Sequence, residues 1–312
     1  MSARELSVLV VMCAVWGFHF VVIKTATNAV PPIFYAAMRM TLVALILAPF
    51  LRWRPGRMRI VLAAAVCYGG LNYLFLFSGV SRATASAASV AIELYVPFAT
   101  ILSVVFLKEK VGWRRIGGIA LAFAGVALIA LGRNGAPGDE ARVAFGVGLV
   151  ACAALIEAFG SILVKSAVGF RPHELLAWFG VMGTVALWLA TFILEDGQRE
   201  AFAASNKFMM AGAIVYSAVA ASIFGHTAYY WLLQRLPVSQ VSPSALLVTL
   251  FAVIFSVLIL GEPFTMRFFI GGAMALAGVG VILLRSAKQP IVGAGAPEAA
   301  VVPGAAALEK RE

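Results

Sequence analysis

Four ionisable side chains stand where a lipid bilayer would ordinarily exclude them. Glu93 and Glu157 lie near the middle of two long apolar runs, His19 is central in another, and His226 falls in the second half of a fourth. A charged group at the bilayer centre costs about 2.5 to 3.5 kcal/mol on insertion scales, so such residues line a polar interior rather than face lipid. Their chemistry is recognition. A carboxylate suits an ammonium group, an imidazole or an amide such as Asn72 suits a carboxylate, and rings such as Trp16, Tyr73, Tyr229 and Tyr230 suit an apolar side chain. Nothing here points to bond-making: the chain has no H-E-x-x-H pair, no G-x-S-x-G turn, no G-x-x-x-x-G-K-[ST] phosphate loop, and only three histidines. Cys13, Cys67 and Cys152 all fall inside apolar runs and are odd in number, which suggests neither a disulfide framework nor a metal cluster. The expectation is therefore no enzyme, no metal and no cofactor.

The elements that position these groups are membrane helices. Hydrophobic residues make up 62% of the chain, charged residues 12%, and the mean hydropathy is +0.97. Runs of about 20 apolar residues place ten spans near 6–28, 32–52, 59–80, 83–107, 113–131, 143–166, 173–194, 207–234, 238–260 and 265–285. Residues three, four and seven apart share a helix face. On that basis spans 1, 3, 4, 6, 8 and 9 form the cavity set, with Trp16 and His19 on span 1, Gly69, Asn72 and Tyr73 on span 3, Ser86, Ser89 and Glu93 on span 4, and Glu157 and Ser161 on span 6. Tyr95 lies some 200° around an ideal helix from Glu93, so both reach a lumen only if the chain kinks at Pro97. Spans 2 and 7 present bulky faces and are placed at the periphery, with Arg39 read as a pairing or snorkelling residue. Lys24 and Lys165, in VIKTA and LVKSA, are likewise read as snorkelling at helix ends.

A repeat organises the spans. Glu109, Gly118 and Gly125 recur with the same spacing as Glu262, Gly271 and Gly278, at an offset of 153 residues. Gly118, Gly125, Gly271 and Gly278 are one-sided and permit close helix approach. Five spans per copy force the second copy to enter the membrane from the opposite side. The predicted domains are 1–134, a first five-helix repeat, 135–288, a second and inverted one, and 289–312, a Gly-, Ala- and Pro-rich disordered tail. The apolar run of span 1 is about twice a signal peptide's and has no convincing cleavage site, so it is read as a helix. The net charge of +10 follows the positive-inside pattern rather than indicating nucleic acid. With a cytoplasmic N-terminus, the inner segments hold sixteen Lys and Arg and the outer ones seven. KEKVGWRR also contrasts with its repeat partner GEPFTMR, as inversion requires. Both termini are expected in the cytoplasm.

The paired Glu-x8-Gly-x6-Gly signatures, Pro97 twelve residues before Glu109, and the ten spans resemble the EamA-type drug/metabolite transporter superfamily over residues 6–285, and most resemble its YddG-type exporters of aromatic and other amino acids. The resemblance implies an all-α membrane fold of two inverted five-helix units around a central cavity, in a bacterial inner membrane. One departure is visible: Leu250 stands where the second half would match Pro97, so bending at that hinge lacks a symmetric counterpart. The expected function is export of aromatic and other neutral amino acids by alternating access. Glu93 or Glu157 would meet the ammonium group, His19, His226 or Asn72 the carboxylate, and Trp16, Tyr73, Tyr229 and Tyr230 the side chain. The alternative is a proton-coupled exporter of hydrophobic cations. Expected partners are small amino acids and the bilayer, with no nucleic acid, and nothing in the chain requires more than a monomer.

Overall fold

Backbone amides in lipid have no water to bond, so a chain this apolar must satisfy them within helices. The computed structural model describes residues 1–107, 111–131, 140–167, 169–236, 238–241 and 244–286, and these regular elements are all helical. The ten spans are α1 Ala3–Thr27, α2 Pro32–Phe50, α3 Met58–Arg82, α4 Ala85–Phe106, α5 Trp113–Ala130, α6 Glu140–Val164, α7 Pro172–Leu194, α8 Lys207–Leu233, α9 Ser244–Leu260 and α10 Met266–Leu284. Nine of these are long and apolar enough to cross a membrane, and α9, of 17 residues, follows a separate short piece, Val238–Val241. Large apolar side chains such as Phe208, Ile193, Leu258 and Leu284 point outward, which suits hydrocarbon and would be unfavourable in water.

The principal packing partners cross between the halves: α5 with α10, α2 with α7, α3 with α6, and α1 with α9. Both pairs of equivalent helices run antiparallel. In the first, a Cβ on Gly118 would lie 2.9 Å from the Gly278 carbonyl, and one on Gly125 would lie 2.5 Å from the Gly271 carbonyl, so the two backbones touch through missing side chains. In the second, the Glu195 carboxylate at the end of α7 accepts from the Ile33 and Phe34 amides at the start of α2, at 2.8 and 2.9 Å. At the opposite end of that pair Arg54 meets Glu174 at 3.0 Å. A second carboxylate clip lies on the face that carries Glu195, opposite the N-terminus. Glu262, between α9 and α10, accepts from the Ala85 and Ser86 amides at the start of α4, at 2.6 and 2.9 Å.

Four departures from regular α-helix occur among the described residues: a 3₁₀ turn, Ala48–Phe50, ends α2, and the other three lie in cavity-set helices. Val66–Leu71 of α3 and Tyr216–Phe224 of α8 are π-helical, and Ile92–Leu94 of α4 is a 3₁₀ turn that ends one residue before Tyr95. Such wide and tight turns redirect side chains and often mark functional positions.

Some expectations require correction. α2 is not peripheral: Tyr35, Ala36, Ala37 and Arg39 are all buried, because α2 is enclosed by α7, α3 and α8. Lys24 does not snorkel but donates to the carbonyls of Val80, Ser81 and Ala83, at 3.1, 3.0 and 2.6 Å, closing the end of α3. The polar segment after α7 contains a short helix, Gln198–Ala204, where only a connection is predicted. Glu109, Ser242 and the predicted tail at 289–312 lie outside the described residues, as do the side chains of Lys165 and Ser239.

Candidate functional site

The polar residues of the seam form two poles. The first gathers on α1, α2 and α8. Arg39, 2% exposed, donates from Nε to the Ser217 carbonyl at 3.2 Å and from Nη2 to the Ser222 and Tyr73 hydroxyls at 2.6 and 3.2 Å. Its guanidinium lies over the Tyr73 ring, 4.2 Å from the centroid. The Tyr35 hydroxyl bridges the Ala213 carbonyl at 3.0 Å and the Ser217 hydroxyl at 2.6 Å, and His19 Nε2 meets that same hydroxyl at 3.0 Å. His226 Nδ1 lies 2.8 Å from the Ser222 carbonyl; a carbonyl only accepts, so Nδ1 carries the proton there and Nε2 faces away from that bond. His19 and His226 both lie within electrostatic reach of Arg39.

The second pole is acidic and gathers on α4 and α6, against α3 and α9. Glu93 accepts from the Thr249 hydroxyl of α9 at 2.8 Å. Glu157 accepts from Asn72 Nδ2 at 3.3 Å, and the same nitrogen donates to the Ala153 carbonyl at 3.0 Å. Tyr68, Tyr95 and Tyr229 lie within electrostatic reach of Glu157, and Tyr230 packs against Tyr229. Tyr95, the residue after the 3₁₀ turn, also hydrogen-bonds to Ser161 and Tyr68.

An aromatic wall connects the poles. Trp16, anchored by its Nε1 to the Ala221 carbonyl at 2.8 Å, packs edge-on to His226 at 5.6 Å and tilted against Tyr229 at 5.9 Å. Tyr230 lies 6.5 Å from the His226 ring and 6.0 Å from Tyr229. One turn of α3 touches both poles, since Asn72 bonds Glu157 and its neighbour Tyr73 bonds Arg39. All nine residues predicted for the site thus belong to one seam, although Asn72 stands with the acids rather than opposite them. Arg39 is the residue that sequence reasoning placed elsewhere, and Thr249 and Ser217 are additions. Among the described residues no His, Cys, Asp or Glu cluster is fit to hold a metal.

One open space lies elsewhere. A cavity of about 730 Å³ opens at the face that carries Glu195, lined by Asn28, Pro31, Ser81, Arg82, Arg142 and Glu195 among others. None of the two-pole residues lines it. The rim cavity is thus separate from the two poles and carries charged groups of its own, Arg82, Arg142, Glu195 and Asp196.

Helical repeats meeting at a polar seam define a membrane transporter of the duplicated ten-helix class. The EamA-like transporter family matches residues 4–131 and 144–284, once for each half, and the chain belongs to that family. It is 27% identical over 302 residues to a probable amino-acid metabolite efflux pump of Escherichia coli (strain K12), covering 94% of this chain and all of that one. It is 26% identical over 286 residues to an uncharacterized transporter of Archaeoglobus fulgidus, covering 88% and 97%. A probable terminal-alkyne amino-acid exporter of Streptantibioticus cattleyicolor is 28% identical over 203 residues, 65% of each chain. A solved crystal structure superposes with a TM-score of 0.60 at 15% identity, covering 93% of this chain and all of that one, a likeness of fold. The protein is a non-enzymatic multi-pass membrane transporter.

Proposed function

We propose that this transporter exports amino acids, aromatic and other neutral ones in the manner of YddG-type proteins, across a bacterial inner membrane with both termini in the cytoplasm. The observation that carries the reading is the two-pole seam. A zwitterion in a site of reduced dielectric needs a partner for each charge and apolar surface for its side chain. Glu93 and Glu157 face its ammonium group, the imidazoles of His19 and His226 its carboxylate, and Trp16, Tyr73, Tyr229 and Tyr230 its side chain. The names of the Escherichia coli and Streptantibioticus relatives support the same substrate class. Alternating access between inverted halves is supported by the antiparallel α2/α7 and α5/α10 pairs and by packing that runs mainly between the halves. A hydrophobic-cation exporter fits less well, because a buried guanidinium in the same seam repels a cation without a carboxylate.

Counterflow in proteoliposomes with labelled amino acids and cationic dyes, with and without a pH gradient, tests the reading. Glu93→Gln, Glu157→Gln and His226→Ala should each lower amino-acid flux at least about tenfold, the worth of one charge-assisted hydrogen bond. Unchanged flux in all three at normal expression refutes the assignment of the poles.

A further inference from the structure

Arg39 holds hydrogen-bonding capacity that the protein does not use. Nε and Nη2 are occupied, but Nη1 has no hydrogen-bond partner even though the side chain is 2% exposed. Among the described residues no carboxylate pairs with it; the acids of the seam bond instead to Thr249 and Asn72. The faces of the guanidinium are covered, by the Tyr73 ring at 4.2 Å and by Phe77 at 5.5 Å. What remains is one planar edge, and a guanidinium edge fits a carboxylate.

A buried cation without a counter-ion is among the costlier features a membrane protein can keep. Ser217 and Ser222 offset part of that cost by offering neutral acceptors, and neither supplies the charge. An anion that arrives during the transport cycle does. A small dianion does not fit, because Glu93 and Glu157 share the seam and repel it. An anion joined to a cation meets both poles at once.

We propose that Arg39 is the carboxylate receptor of the transported substrate, with the free Nη1 edge donating to a substrate carboxylate oxygen beside His19 and His226. This rests on the amino-acid export reading and sharpens it, since it makes a free α-carboxylate a requirement. Amines and carboxamides of the same shape are then rejected, because they leave the guanidinium unpaired.

Purified full-length protein tests the proposal by equilibrium binding of labelled phenylalanine, tryptophan and threonine and of their carboxamides, beside counterflow of the same acids. The wild-type protein should favour acid over amide by roughly 30-fold or more, the size of one hydrogen bond to a buried charge. In Arg39→Gln that preference should collapse to about one. Arg39→Leu removes the same charge with an apolar side chain that enters a bilayer readily, which provides a second folded variant. A residue that only braced Tyr73 and Ser222 would weaken acid and amide alike and leave the ratio intact. An unchanged ratio in variants of a wild type that transports these acids overturns the arginine assignment alone. A wild type that neither binds nor transports any of the acids overturns the export reading, and this assignment with it.

Discussion

Neutralising Glu262 tests whether carboxylate clips hold the face opposite the N-terminus shut. Its carboxylate accepts from the Ala85 amide at 2.6 Å, the Ser86 amide at 2.9 Å and the Ser86 hydroxyl, so a residue of the second half caps a helix of the first. Glu262→Gln keeps the shape, removes the charge and turns one acceptor oxygen into a donor facing another donor. The loss is about one charge-assisted bond, about 1.5 to 3 kcal/mol, plus about 0.3 to 1 kcal/mol of attraction to the helix N-terminus. A total of roughly 2 to 4 kcal/mol corresponds to a roughly 30- to 1,000-fold shift toward separated halves. Ala88 reads that shift, since it is fully buried one turn into α4. With Cys13, Cys67 and Cys152 replaced, an Ala88→Cys reporter in detergent should react with maleimide at least about tenfold faster when Glu262→Gln is added. Equal labelling rates and equal thermal midpoints with and without Glu262→Gln would refute the latch.

Two further substitutions test the frame. Gly125→Leu would place a Cβ 2.5 Å from the Gly271 carbonyl and the Ala275 amide nitrogen, whereas Gly117 on the same helix faces open space. Gly125→Leu should lower the thermal midpoint by the equivalent of about 1 to 3 kcal/mol or more, and Gly117→Leu should stay within about 0.5 kcal/mol, both read by thermal unfolding in detergent. Lys24→Met removes three hydrogen bonds to the last carbonyls of α3 and should cost about 1 to 3 kcal/mol in the same assay, while a midpoint equal to wild type would return Lys24 to a snorkelling role.

What could be read along the chain was whatever depends on run length or on an absent side chain. The seventh span is expected at 173–194 and found at Pro172–Leu194, because the thickness of hydrocarbon fixes how long an apolar run must be. The glycines of α5 and α10 were legible for a similar reason, since a missing Cβ matters wherever two backbones meet. The position of Arg39 was not legible. Its acceptors on α8, Ser217 and Ser222, are five residues apart, and on a regular α-helix that spacing puts them on different faces. The π-helical stretch Tyr216–Phe224 stacks them, as the Ser222 hydroxyl bond to the Ser217 carbonyl at 3.0 Å shows, and the pair then receives the guanidinium. No local composition announces a π turn, so α2 looked like a bulky outer helix with one stray charge.

The repeat itself indicates where substrate chemistry should be found. Two inverted copies related by a two-fold would place identical groups on both sides of a central site, and an amino acid, with different charges at its two ends, has no such symmetry. Its receptor must therefore be built where the copies have diverged. The packing positions have not diverged: Gly118 matches Gly271, and Gly125 matches Gly278. The polar positions have. Glu93 stands opposite Leu246, and aligning VIKTA around Lys24 with LVKSA around Lys165 sets Trp16 opposite Glu157 and Arg39 opposite Gly180. Gly180 lies so close to α2 that a Cβ there would sit 3.0 Å from the Ala44 amide nitrogen, so the position that carries a cation in one half serves close packing in the other. Duplication thus provides a frame with equivalent helices back to back, and divergence at three positions separates an acidic pole from a basic one across it.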